Sequence, residues 1–207
     1  MIKDLIVLVA DVQQEKTLET LLCERYHSLK MRKISFDIFR HPGKDPGVYK
    51  DAAQFLKPYQ GQYDHALVLL DQEWIGAPGD ADYLRENIRR HLYKNGWNTS
   101  NADVIVIDPE LEIWVWSDSS VVAEELRLAW DKIKALAQKR GYWPQNQLKP
   151  THPKELLAAI LRQQNRPHSS ALFQALAARI GLTRCQDNAF IQLRQILQNW
   201  FPSQVNF

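Results

Sequence analysis

The chain has 207 residues, with 26 Lys and Arg against 24 Asp and Glu, for a formal net charge of +2. Its 45% apolar and 24% charged residues are the proportions of a globular protein and exclude a disordered, collagenous or coiled-coil chain. No stretch nears the roughly 18 apolar residues of a membrane span, and the apolar run at 5–10 is too short for a signal-peptide core.

The two cysteines, Cys23 and Cys185, stand in no metal spacing and predict neither a disulfide framework nor a zinc site. A cytoplasmic protein of one or two small domains is expected. Residues 5–9 are a continuous aliphatic run, as in a strand buried on both faces of a parallel sheet. Leu18, Leu21, Leu22 and Tyr26 recur at helical spacing and predict a helix over about 15–29. A second strand is expected at 34–39, followed by a Gly- and Pro-dense loop at 41–47 and a helix from Val48 to about Lys57. Residues 66–70 form the third expected strand, ending on Asp71, and 80–95 a charged helix. The fourth strand, at 104–107, ends on Asp108 and Pro109.

This alternation predicts an α/β fold with an open, mainly parallel sheet flanked by helices. Beyond residue 110 the pattern is helical, with helices expected at about 119–139, 153–164, 169–180 and 187–199. The Pro-rich segment 144–153 is the best boundary, dividing an α/β domain at 1–143 from a helical C-terminal region at 144–207 that can also pack as part of one domain.

Functional groups of open α/β sheets gather at the carboxyl ends of the strands. Asp11 follows the first strand, with Glu15 four residues on, on the same face of the opening helical turn. Asp71 and Glu73 flank Gln72 after the third strand, and Glu110 and Glu112 follow the fourth. Crowded carboxylates repel, so such a group suits a hard cation, Mg²⁺ or Mn²⁺, which can activate a nucleophile and neutralise a phosphate. The same residue types also serve as helix caps and first-turn charges. Arg40, His41 and Lys44, in the loop after the second strand, are candidate phosphate contacts. Trp74 is a candidate substrate contact, and Trp114 and Trp116 read as packing residues.

The segment Val9-Ala10-Asp11-Val12-Gln13-Gln14-Glu15 resembles the first motif of Toprim-type domains, and Leu69-Leu70-Asp71-Gln72-Glu73 is similar to that family's Asp-x-Asp motif with Glu in the last place. The stretch from Pro109 through Glu110 and Glu112 to Trp116, the residues from Lys149 to Lys154, and those from Asp187 to Pro202 resemble a poorly characterised prokaryotic subset with a helical tail. The resemblance implies a Toprim-like fold and a nuclease-type enzyme with nucleic acid as partner. It also implies Asp11 in acid–base chemistry with Glu15 accessory, and Asp71, Glu73 and Asp11 as ligands of Mg²⁺ or Mn²⁺. The family's first acid is Glu followed by Gly. Here Asp11 is one methylene shorter and Val12 removes the backbone freedom.

Three functions compete. The first is a metal-dependent nuclease or related phosphoryl-transfer enzyme. The second is a catalytically degenerate module serving as a binding or regulatory subunit among the protein partners of a prokaryotic defence or DNA-processing system, a setting implied by the resemblance. A receiver-like domain ranks last, because no adjacent acidic pair follows the first strand. The charge is also divided. Residues 140–207 carry eight Lys and Arg against two acids, and residues 1–139 carry 18 against 22. That split suits either a phosphate-holding tail or mutual attraction of the two parts.

Overall fold

The computed structural model describes residues 2–117, 120–182 and 185–203. Four strands, β1 (Lys3–Val9), β2 (Phe36–Arg40), β3 (Tyr63–Asp71) and β4 (Ala102–Ile107), form one sheet in the order β2-β1-β3-β4. Every pairing is parallel. Side chains alternate across a strand, so each aliphatic run serves both faces at once. Leu5, Val7 and Val9 of β1 lie with Leu67, Leu69, Ile105 and Ile107 in one core. Ile6 and Leu8, with Ala66, Val68, Leu70, Val104 and Val106, build the other.

Helices α1 (Val12–Glu24), α2 (Lys44–Leu56) and α3 (Ala81–Lys94) connect the strands. The first begins three residues before the predicted start, because Asp11 caps it by accepting the Gln14 amide at 2.9 Å. The second also begins early. The latter half of the Gly- and Pro-dense segment is its first turn, with Asp45 placed where an acid suits the helix dipole. Val48, Ala52 and Leu56 of α2 and Leu84, Ile88 and Leu92 of α3 cover the second core.

After β4 a 3-10 turn (Leu111–Trp114) leads to α4 (Ser120–Leu126) and α5 (Trp130–Arg140). The single helix expected at 119–139 is therefore broken, and its first residue lies outside the described residues. At the break Arg127 takes a left-handed φ of 54°, and the amides of Arg127 and Leu128 turn back onto the carbonyls of Glu124 and Ala123. Helices α6 (Pro153–Gln163), α7 (Ser170–Arg179) and α8 (Asn188–Trp200) follow, within a residue of the expected positions.

The helical C-terminal region packs onto the sheet face that α1 also covers. Leu156, Leu157 and Ile160 of α6, Phe173 and Leu176 of α7, and Phe190, Leu193 and Leu197 of α8 share one buried core with β1, β3 and β4. Trp114 and Trp116 join that packing. The Trp114 indole donates to Asp187 at 2.8 Å and the Trp116 indole to the Pro153 carbonyl at 3.1 Å. The fold is α/β, an open parallel sheet flanked by helices with a helical C-terminal extension. No helix among the described residues is long and apolar enough to cross a membrane.

Candidate functional site

The strand order reverses between β1 and β3, so the crevice outside their carboxyl ends is where an open α/β sheet binds ligands. Asp11 stands just past β1 and Asp71 ends β3. Gln14, fully buried, ties the two sides together. Its side-chain carbonyl accepts the Ala10 amide at 2.9 Å, and its NH₂ donates to Asp71 Oδ1 at 3.0 Å. The Leu111 amide donates to the same oxygen at 3.0 Å. The 3-10 turn carrying the later acids is thus tied to the end of β3.

Asp45 reaches the crevice from the first turn of α2, and its Oδ1 accepts the Asp71 amide at 2.9 Å. Asp71 is buried, and that burial pushes its carboxyl well above the ordinary range. The charges of Asp45, Glu112, Asp11 and Glu110 add to the push. Burial likewise raises Asp45, with the field of Asp11 adding to it and the hydrogen bond from Asp71 opposing it.

Glu110 and Glu112 are both buried in the residues after β4. Glu110 takes a two-point hold from α6, with the Lys154 amide on Oε1 at 3.2 Å and the Lys154 ammonium on Oε2 at 2.9 Å. Burial still leaves its carboxyl raised. Glu112 faces His168 Nε2 at 3.1 Å. For Lys154, burial works against the charged form, but the Glu110 hydrogen bond and the fields of Glu110, Glu112 and Asp71 outweigh it and raise the ammonium.

Two of the sequence expectations need correction. Asp11, Asp71 and Glu73 do not assemble as a metal-binding group. Among the described residues no three His, Cys, Asp or Glu side chains do. Glu73 is exposed, because the amides of Gln72 and Glu73 turn onto the Pro109 carbonyl at 3.1 and 3.0 Å and carry the chain away from β3. Asp45 stands beside Asp71 instead. Trp74 packs on Tyr49, with ring centroids 6.0 Å apart, and is half-buried in the second core rather than presented to the crevice.

The remaining candidates line an adjoining open cleft of about 810 Å³ between the starts of α1 and α2, formed by Asp11, Gln13, Glu15, Arg40, His41 and Lys44 among others. Glu15 pairs with Arg40 at 2.7 Å, a charge contact without an aligned hydrogen bond. His41 accepts the Gly43 amide on Nδ1 at 3.0 Å, and its ring lies where a Cβ of residue 47 would sit, so glycine at 47 makes room for it. Lys44 is exposed on the same rim.

A hard divalent cation held by one or two carboxylates, waters and substrate phosphates needs no closed protein cage. The crevice brings the carboxylates of Asp71, Asp45 and Asp11 within one another's fields, but they do not form a three-ligand metal group. The sequence reading missed Gln14, Asp45 and Lys154. Asp45 carried a signal, an acid in the loop after the second strand of an open α/β sheet. Gln14 and Lys154 gain their places through tertiary packing.

No protein-family model matches the chain, and no solved structure gives a significant match. Among curated proteins, a UPF0157 protein of Streptomyces coelicolor is 32% identical over 103 residues. The matched region is 48% of this chain and 50% of the relative, so the chain spans about half of the curated relative it matches.

Proposed function

We propose that the chain is a Toprim-like module carrying out divalent-cation-dependent phosphodiester chemistry on nucleic acid at the crevice between β1 and β3. The observation that carries this reading is the buried carboxyl of Asp71, pressed by Asp45, Glu112, Asp11 and Glu110. A strongly perturbed acid in a strand-end crevice is a candidate functional group. Asp71 with Asp45 or Asp11 would hold Mg²⁺ or Mn²⁺, which supplies neutralisation of phosphate charge and a more acidic bound water. Asp11, half-buried at the cleft, would serve in proton transfer, and Lys44 and His41 on the rim would contact phosphate.

The test is degradation of single- and double-stranded DNA and RNA with Mg²⁺ or Mn²⁺. Cleavage that falls by about 100-fold or more in Asp71→Asn supports the reading. Cleavage that persists in that variant belongs to another site or a contaminant.

One observation favours a second reading, a module that binds without catalysis. Asp11 spends one oxygen on a helix cap, and Asp71 spends one on Gln14 and Leu111, so both acids have structural work. Retention of nucleic acid without cleavage under any divalent cation selects this reading.

A further inference from the structure

The sheet ends on β4, and one side of that strand pairs with no other strand. The amides of Ala66 and Gln72 donate to the carbonyls of Asn101 and Ile107, so residues 101, 103, 105 and 107 turn their backbone groups towards β3. Those of Ala102, Val104 and Val106 point the other way. Two of the outward amides are already paired. Ala102 donates to the Asn98 carbonyl at 2.9 Å, and Val104 to the Asp103 carboxylate at 2.7 Å, which Arg89 holds in turn. The Val106 amide and the carbonyls of Val104 and Val106 have no hydrogen-bond partner among the described residues, although both residues are buried. Buried backbone groups of a folded chain are nearly always paired.

Val106 opens on a groove between α3 and α8, which both pack on β4. Two adjoining cavities of about 390 and 480 Å³ run along it, the first lined by Asp103 and the second by Val106. They share Arg85 and Gln192, whose 2.8 Å hydrogen bond bridges the two helices. Asn188, Gln192, Gln195 and Asn199 line the groove from one face of α8. Side-chain amides both donate and accept, as the backbone of an extended peptide requires. At the carboxyl end of β4, the Arg85–Asp82 pair leaves Asp80, Asp108 and Asp187 against Lys149 alone. That surplus of negative charge repels phosphate and attracts Lys or Arg side chains.

We infer that the outer edge of β4 takes an extended segment of a partner polypeptide as an added strand, with basic side chains over Asp80, Asp108 and Asp187. An entering strand displaces the Arg85–Gln192 bridge. It gives a carbonyl to the Val106 amide and amides to the carbonyls of Val104 and Val106. The surface uses none of Asp11, Asp45 and Asp71, so it is independent of the chemistry proposed for the crevice.

The experiment titrates the full chain into a fluorescein-labelled peptide of alternating Val and Thr, made with Lys residues at either terminus, and reads anisotropy. One of the two peptides is expected to bind and to slow hydrogen exchange of the Val106 amide. Its Glu-ended counterpart binds about fivefold more weakly. N-methylation of alternate peptide amides, which removes strand hydrogen bonds without altering side chains, weakens binding about tenfold. Asp80→Asn combined with Asp108→Asn, which preserves shape and the α3 cap, abolishes the preference for Lys. No binding by either Lys peptide, or binding indifferent to N-methylation, overturns the added strand. Sedimentation supplies the remaining test: a dimer with the Val106 amide protected in the absence of peptide makes a second copy of the chain the occupant and overturns the partner polypeptide. Slowed Val106 exchange on adding an oligonucleotide overturns it equally.

Discussion

At the scale of single residues, the chain treats its acids in two opposite ways. Asp4, at the start of β1, accepts Arg32 on Oδ1 at 2.5 Å and both the amide and the hydroxyl of Ser35 on Oδ2. The Arg32 hydrogen bond outweighs the cost of burial and, with the Ser35 bonds added, holds its carboxyl down at about 2. A lowered folded-state pKa stabilises the fold above the unfolded value of 3.8 and is lost as pH falls through about 2. The shift corresponds to about 2 kcal/mol, which solvent screening of this partly exposed pair reduces to about 1 kcal/mol. Asp4→Asn is expected to cost that amount in urea unfolding at pH 6, with the difference from wild type closing towards pH 2. A constant difference across that window would show that the loss is steric rather than electrostatic.

Asp71 is the opposite case, an acid with no ion pair among the described residues to hold its charge. Its place at the end of β3 was legible from the aliphatic run before it. The company it keeps was only half legible. Asp11, Glu110 and Glu112 arrive because strands of a parallel sheet end on the same edge, which a strand count alone predicts. Glu73 misled because spacing along the chain says nothing about the Pro109 carbonyl that turns it outward. Asp45 was hidden by reading the Gly- and Pro-dense segment as loop, when half of it is a helical turn.

At the scale of elements, hydrophobic period placed all four strands and most helices to within a few residues, since each run must cover one or both faces of the sheet. The break between α4 and α5 escaped because both helices carry apolar residues in step, with Val122, Leu126, Ile133 and Ala137 all buried. The stop is made by backbone at Arg127, which holds a left-handed φ where glycine is the usual residue. Its side chain is exposed, so little packing is lost on removing it. Arg127→Gly is therefore expected to stabilise the protein by about 0.5–1 kcal/mol, read as a higher urea midpoint with unchanged slope. A lower midpoint would mean that the greater freedom of glycine in the unfolded chain outweighs the relieved strain.

At the scale of the whole molecule, the division of charge has a structural use. Basic side chains of the last third turn inward to the rest of the chain: Lys154 to Glu110, and Arg179 to Glu124 and Glu125. Arg25 in the α/β part answers by donating to the carbonyls of Ala177, Ala178 and Ile180, which closes the end of α7. The attraction between the two parts, rather than a free basic tail, is what these contacts supply.

The Pro-rich segment at 144–153 is consequently a crossing between elements of one core. Leu5, Val7 and Val9 of β1, Leu67 and Leu69 of β3, and Ile105 and Ile107 of β4 are covered on that face by α1 together with the C-terminal helices. Removing residues 144–207 strips the cover from a central strip of the sheet. It also leaves the Trp116 indole and the buried Glu110 without their partners on Pro153 and Lys154. Exposed apolar area of that kind, contiguous and flanked by strands, is an aggregation surface. A fragment ending at residue 143 is expected to lose cooperative unfolding and to remain soluble poorly, if at all, while the two pieces co-expressed recover a compact complex. Calorimetry decides it: a sharp transition in the fragment alone would establish the α/β part as an independent domain and make the C-terminal helices an accessory to it.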